Sequence, residues 1–145
     1  ASKTNASVTA SDVSEKALAV ARENCQGLNV ECVQSDMFGK LFARIFDVII
    51  SNPPYIRSGD LDSLQKEVQR EPLTALDGGE DGLKFYREIA EKSPEFLAEN
   101  GVLLLEIGFG QASEVSALLS VNFMDVQVIK DLEGNDRIII ARKKN

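Results

Sequence analysis

Six residues, Phe46-Asp47-Val48-Ile49-Ile50-Ser51, run directly into Asn52-Pro53-Pro54-Tyr55. A short run with three consecutive aliphatics predicts a strand covered on both faces, as in a parallel sheet. Pro53 and Pro54 carry no N–H and cannot continue a strand ladder. The chain therefore sets an amide side chain and two rigid carbonyl groups at the end of a strand.

The flanking segments alternate strand and helix patterns. Val8 to Ser11 reads as a strand. Ser14 opens a helix with Ala17, Leu18, Ala21 and Cys25 on one face. A polar break from Asn24 to Asn29, with Gly27, leads to a second strand, Val30 to Gln34. After the third strand, Asn52 to Gly82 reads as a long irregular stretch, broken by Pro72, Ser58-Gly59-Asp60 and Asp77-Gly78-Gly79. A short helix is predicted around Asp62 to Arg70. Loops of this length in a compact domain are usually functional.

From Asp81 a helical pattern resumes with Leu83, Tyr86 and Ala90, and Pro94 kinks or restarts it. Asn100-Gly101 predicts a turn before a strand from Val102 to Ile107. Gln111 to Ser120 predicts a helix with Ala112, Val115, Leu118 and Leu119 as its apolar stripe. Val126 to Ile129 and Arg137 to Ala141 predict an antiparallel hairpin around Asp131 to Asp136. The alternation implies one α/β domain over residues 1–145: a mostly parallel sheet, helices on both faces and a C-terminal antiparallel hairpin.

Charge and residue usage narrow the chemistry. The net charge of -7 lacks the Lys and Arg excess of a general nucleic-acid surface. There is no histidine, which removes Ser-His-Asp and Cys-His schemes and the commonest metal ligand. Cys25 and Cys32 match no zinc spacing and read as ordinary thiols, so no metal is expected. No apolar run approaches the roughly 20 residues of a membrane span, and Ala1 to Asn5 open no secretory signal. A cytoplasmic location without membrane partners is the expectation.

Ligands of open α/β sheets bind beyond the carboxyl ends of the strands. Those ends carry Asp12, Asp36, Asn52 and Glu106. Asp12 sits where nucleotide-binding folds place an acid on ribose hydroxyls, and equally where a helix is capped. Asp36 suits an adenine amino group or a turn. Glu106 reads as structural. A glycine-rich cofactor loop normally lies about 20 residues before the ribose acid. Only eleven residues precede Asp12 and the first glycine is Gly27. If a nucleotide-like cofactor binds, the loop and the first, central strand are expected upstream of residue 1.

Asn52 offers a donor and an acceptor, and Pro53 and Pro54 offer carbonyls held without much flexibility. The Asn52 side-chain oxygen and the Pro53 carbonyl can together receive both N–H groups of a planar –NH2, with Tyr55 closing over it. Amide and exocyclic amine nitrogens are poor nucleophiles. Fixing both hydrogens orients the nitrogen for in-line attack on a methyl group without a metal or a strong base. A rigid turn ending a buried strand is the structural alternative.

The chain resembles the HemK/PrmC family of N5-glutamine methyltransferases that modify peptide chain release factors. Asn52-Pro53-Pro54-Tyr55 is similar to the family's signature, which some DNA and RNA amino-group methyltransferases share. More discriminating is Glu71-Pro72-x-x-Ala75-Leu76-x-Gly78-Gly79-x-Asp81-Gly82-Leu83, together with Asp131-Leu132-x-Gly134-Asn135-Asp136-Arg137. The resemblance implies a Rossmann-like class I fold and S-adenosyl-L-methionine (AdoMet) as cofactor. It implies Asp12 on the ribose, Asp36 and Met37 on the adenine side, and Asn52 to Tyr55 on the substrate amide, with Asn52 also beside the cofactor. The implied substrate is the glutamine of a release factor's Gly-Gly-Gln loop. A DNA or RNA amino group is the alternative. With the glycine loop and an N-terminal helical domain lying outside residues 1–145, weak or no AdoMet binding is expected of these residues alone, a matter for calorimetry.

Overall fold

The computed structural model describes residues 5–66 and 68–144. Most of the opening segment Ala1 to Asn5, and one position of the predicted Asp62 to Arg70 helix, therefore lie outside the described residues. The chain divides into two compact units, Ala1–Arg44 and Ile45–Asn145, each with its own sheet.

The first unit is a β–α–β crossover. Strands β1 (Val8–Asp12) and β2 (Val30–Gln34) pair in parallel, with Val8 opposite Val30 and Asp12 opposite Gln34. Parallel neighbours need a crossover between them, and α1 (Glu15–Asn24) supplies it. Ser14 caps α1, its hydroxyl accepting from the Ala17 N–H at 3.3 Å. Leu18 is the buried residue of α1, while Ala21 and Cys25 are half-buried and Ala17 is exposed. The expected stripe is thus narrower than its sequence suggests. Gly27, at φ +78°, takes the left-handed turn that releases the chain toward β2.

The second unit has a four-stranded sheet in the order β3-β4-β6-β5. Strand β3 (Phe46–Ser51) runs parallel to β4 (Leu97–Glu106). Strands β5 (Phe123–Lys130) and β6 (Asp136–Lys143) form the expected hairpin, and β6 docks antiparallel against β4. Among the described residues, two of the four pairings between strands are therefore parallel and two antiparallel, the latter both made by β6. Helices α2 (Leu73–Leu76), α3 (Lys84–Phe96) and α4 (Ala112–Leu119) belong to this unit. Its core joins Tyr86 and Ile89 of α3, Leu103 and Leu105 of β4, Val115 and Leu119 of α4, Phe123 of β5 and Ile139 of β6.

Four sequence expectations need correction. Val48-Ile49-Ile50 is not covered on both faces: Val48 is 49% and Ile50 76% exposed. The cause is position, since β3 is an outer strand of its sheet among the described residues. Asn100-Gly101 does not precede the strand but lies inside β4. They mark a break in its register: Leu97 and Val102 are five positions apart where their partners Phe46 and Val48 are two apart, Asn100 is at φ +59°, and pairing resumes at the expected Val102. The single helix around Asp62 to Arg70 is replaced by two 3-10 turns, Ser58–Ser63 and Val68–Arg70, and α2 follows them. Of the two readings of Pro94, a restart of the helix is overturned, because Pro94 sits within α3. It cannot bond the Ala90 carbonyl four residues back, and that carbonyl instead accepts the Asn122 side-chain amide at 3.1 Å.

The hairpin loop is held by one carboxylate. Asp131 Oδ1 accepts the N–H groups of Glu133 (3.0 Å) and Asn135 (2.9 Å), and Oδ2 faces the Arg137 guanidinium at 3.3 Å. This accounts physically for Asp131, Asn135 and Arg137 standing where they do in the motif.

Candidate active site

Asn52 to Tyr55 leave the carboxyl end of β3 and are clamped at once by the segment that follows α2. Ile56 forms an isolated parallel bridge with Asp77. Its N–H donates to the Leu76 carbonyl at 3.0 Å, and its own carbonyl accepts the Gly78 N–H at 2.8 Å. The Ser58 N–H donates to the Gly79 carbonyl at 2.9 Å and its hydroxyl to Asp77 Oδ1 at 2.7 Å. Glycine is required where the two backbones touch. A Cβ on Gly78 would lie 2.9 Å from the Pro54 carbonyl oxygen. One on Gly82, at φ +75°, would lie 2.5 Å from the Tyr55 carbonyl oxygen. The Gly-Gly-x-Asp-Gly pattern is thus the mould into which the Pro-Pro-Tyr backbone is pressed. Pro53 is buried, Pro54 and Tyr55 are half-buried, and Asn52 is exposed.

A second support comes from α4. Gln111 accepts the Gly108 N–H at 2.9 Å through Oε1, while its Nε2 donates to the carbonyls of Tyr55 and Gly82, both at 3.2 Å. Beside these groups lies a cleft of about 540 Å3, walled by Tyr55, Arg57, Asp60, Phe109, Gln111 and Glu114 among others. Phe109 is 84% exposed on the loop after β4.

The electrostatics keep both tyrosines neutral. Burial raises the Tyr55 phenol above its usual value. The Glu106 carboxylate raises it further and Arg137 opposes the shift. Tyr86 is fully buried, donates its hydroxyl to the Glu106 carbonyl at 2.9 Å, and is likewise raised, chiefly by burial. The acids of the clamp go the other way. Hydrogen bonds from the Ser58 hydroxyl and then the Gly79 N–H lower Asp77. Asp81 falls to about 2 through its Arg87 partner and the Leu83 N–H.

The remaining predicted residues belong to the first unit. Asp12 is exposed, and its Oδ1 accepts the Ser14 N–H at 2.7 Å. This meets the helix-start reading at one oxygen. Asp36 is exposed and Met37 half-buried at φ +45°. The buried Ser35 fixes their turn, donating to the Met37 carbonyl at 3.0 Å and accepting the Lys40 N–H at 2.9 Å. Val13, Gln34, Ser35, Asp36 and Lys40 surround a cleft of about 230 Å3. Asn52 to Tyr55 thus share one unit, and Asp12, Asp36 and Met37 share the other.

Gln111 is a residue that the sequence pattern did not single out. The strand-end rule that selected Asn52 also selects Gly108 to Gln111 after β4, and that was the available signal. The half-buried thiols Cys25 and Cys32 are both free. Among the described residues, no helix is long and apolar enough to cross a membrane.

A parallel β–α–β crossover, a mixed sheet closed by an antiparallel hairpin, and Asn-Pro-Pro-Tyr at a strand's carboxyl end define a Rossmann-like class I methyltransferase fold. A methyltransferase from Pyrococcus furiosus shares it, with a TM-score of 0.71 at 20% identity over 97% of this chain and 64% of that one. Residues 1–136 match the profile of the methyltransferase small domain, and the chain belongs to that family. It is 43% identical to the release factor glutamine methyltransferase of Fusobacterium nucleatum over 96% of this chain and 41% of that protein. The crystal structure of a release factor-specific protein-(glutamine-N5) methyltransferase from Alicyclobacillus acidocaldarius is 27% identical, with a TM-score of 0.53 over 95% of this chain and 79% of that one. The chain spans about half the length of the curated relatives it matches.

Proposed function

We propose that this chain contributes the catalytic domain, residues 1–145, of an AdoMet-dependent protein-glutamine N-methyltransferase. Its substrate is the glutamine of the Gly-Gly-Gln loop of a peptide chain release factor. The observation that carries the reading is the immobilised loop at the end of β3. The Pro54-Tyr55 backbone is packed against Gly78 and Gly82 while Asn52 remains exposed. Matched relatives named release factor glutamine methyltransferases support the choice of a protein amide over other amines.

The residues of the first unit fit the cofactor. Asp12 presents an exposed carboxylate, of the kind that accepts ribose hydroxyls in a fork. Asp36 and Met37, on a turn fixed by Ser35 beside a cleft, are the residues we assign to the adenine side. AdoMet bound there supplies an electrophilic methyl group on a positively charged sulfur.

Asn52 and the Pro53 carbonyl accept the two N–H groups of the substrate amide. That contact would orient the nitrogen for in-line attack, and the two acceptors would ease the positive charge on it and hold the N–H whose proton then passes to water. Tyr55, held neutral by burial, serves as a wall and a hydrogen-bonding group rather than as a base. The full-length protein works in the cytoplasm, where release factors act, and needs no broad nucleic-acid surface.

The test is labelled methyl transfer by the full-length protein to a release factor, compared with DNA and ribosomal RNA. Transfer to the release factor glutamine is expected, and Asn52→Ala should abolish it. Transfer only to nucleic acid would replace the substrate reading with the amino-group alternative. Unchanged activity in Asn52→Ala would remove the proposed mechanism.

A further inference from the structure

The side chain of Gln111 touches three backbone segments far apart in sequence. These are the end of the Asn-Pro-Pro-Tyr loop at Tyr55, the turn at Gly82 and the loop after β4 at Gly108. We propose that Gln111 is a positioning residue for methyl transfer, acting through the Tyr55 carbonyl to fix the loop that holds the substrate amide. The inference rests on the function proposed above and adds to it a residue that does not itself touch the substrate.

The chemistry of the contact is specific to a primary amide. Its NH2 supplies two donors and its carbonyl oxygen an acceptor. The neighbours are two carbonyls and one N–H, so both donors and the acceptor find matched partners and the amide orientation is fixed by them. A carboxylate of the same shape keeps the Gly108 bond but turns an oxygen toward two carbonyl oxygens. An aliphatic side chain keeps none of the three.

The packing shows why the amide must be in place. A Cβ on Gly82 would lie 2.9 Å from Gln111 Nε2, and one on Gly108 would lie 2.7 Å from Gln111 Oε1 and 2.8 Å from Tyr55 Cδ2. Two glycines therefore open the space that the Gln111 amide occupies, and Gly108 also seats the Tyr55 ring. The half-buried Gln111 stands directly before α4, whose Val115 and Leu119 are buried in the core. The amide thus ties the substrate loop to a rigid element. Loops 52–55 and 108–110 are held at a fixed separation by one side chain, where a displacement of about 1 Å in a reacting group can lower a rate about a hundredfold.

The experiment uses the full-length protein with AdoMet and a release factor, and compares wild type with Gln111→Leu and Gln111→Glu. A positioning role predicts that kcat falls about tenfold to a hundredfold in both variants. The KM for AdoMet should change less than kcat, because Asn52 is the one proposed cofactor-side residue on the braced loop while Asp12, Asp36 and Met37 belong to the other unit. Hydrogen exchange supplies a readout independent of turnover. The Gly108 amide should lose protection in Gln111→Leu and retain it in Gln111→Glu, which still offers an acceptor.

Rates are compared where circular dichroism shows the variants folded, and Gln111→Glu carries the kinetic comparison if Gln111→Leu does not fold. A kcat within about twofold of wild type in a folded variant overturns the proposal, as does a loss that only tracks a lowered folded fraction. Should wild type prove inactive on release factors, the substrate reading falls. The clamp is then decided by exchange alone, and unaltered protection of Gly108 in folded Gln111→Leu overturns it.

Discussion

Replacing Gly82 with alanine should damage the site more than any other single-methyl change in the loop. The added Cβ would stand 2.5 Å from the Tyr55 carbonyl oxygen, and real Cβ contacts essentially never fall under 3.0 Å, so one backbone must retreat by about 0.5 Å. Gly82 also sits at φ +75°, where a side chain costs about 1–2 kcal/mol. Forced repacking adds about 1–3 kcal/mol. The two together give about 2–5 kcal/mol, a large share of the roughly 5–15 kcal/mol that holds a domain folded.

Two further glycines of the same unit separate the causes. Gly134, at φ +88° with nothing within 4 Å, carries the strain without the crowding, so Gly134→Ala should cost about 1–2 kcal/mol. Gly59 has neither, and Gly59→Ala should fall within about 0.5 kcal/mol of wild type. The assay is urea unfolding followed by tyrosine fluorescence. The chain has no tryptophan and only two tyrosines, Tyr55 and Tyr86, so the signal reports on the unit that carries the site. If Gly82→Ala proves no more destabilising than Gly134→Ala, the close approach of the Gly82 turn to Tyr55 is refuted.

Asn122→Ala should cost about 1 kcal/mol by stranding the Ala90 carbonyl that Pro94 cannot reach, and less when Pro94→Ala restores a backbone N–H there. A double-mutant cycle in urea measures this, and strict additivity would sink the argument. The lowered Asp77, Asp81 and Asp131 have folded-state values below their unfolded ones, so the stability they lend is complete above about pH 4. It should be lost as pH falls, for Asp81 through about 2, and NMR titration of the carboxylates checks this. Tyr55 and Tyr86 are shifted the opposite way. Their contribution is present below about pH 10 and lost above it, with phenolate absorbance rising only past that point.

The local signals were legible because they depend on neighbours in sequence. Ser14 capped α1, Phe46–Ser51 formed β3 with the expected limits, and Asp131 to Asn135 made the hairpin loop, Asp136 already pairing in β6. Asn52-Pro53-Pro54-Tyr55 stood out because two prolines after an aliphatic run can do little except end the strand and fix carbonyls. The Asn100-Gly101 signal was also real, since those residues do turn the chain, but sequence could not tell a turn before a strand from a register break within one. That distinction lies in the pairing partner, where β3 resumes its register against β4.

Tertiary structure alone decided which surfaces the strands bury and what braces the site. Val48 and Ile50 read as doubly covered, yet cover depends on strand order, which the aliphatic pattern of one strand does not contain. The role of Gly78 and Gly82 was equally hidden, because a glycine that admits a distant backbone looks the same in sequence as one that merely turns. Gln111 lies 56 positions from Tyr55. A hydrogen bond at that separation exists only once parallel β3 and β4 bring their carboxyl ends to the same edge of the sheet, and residue order alone places no atoms there.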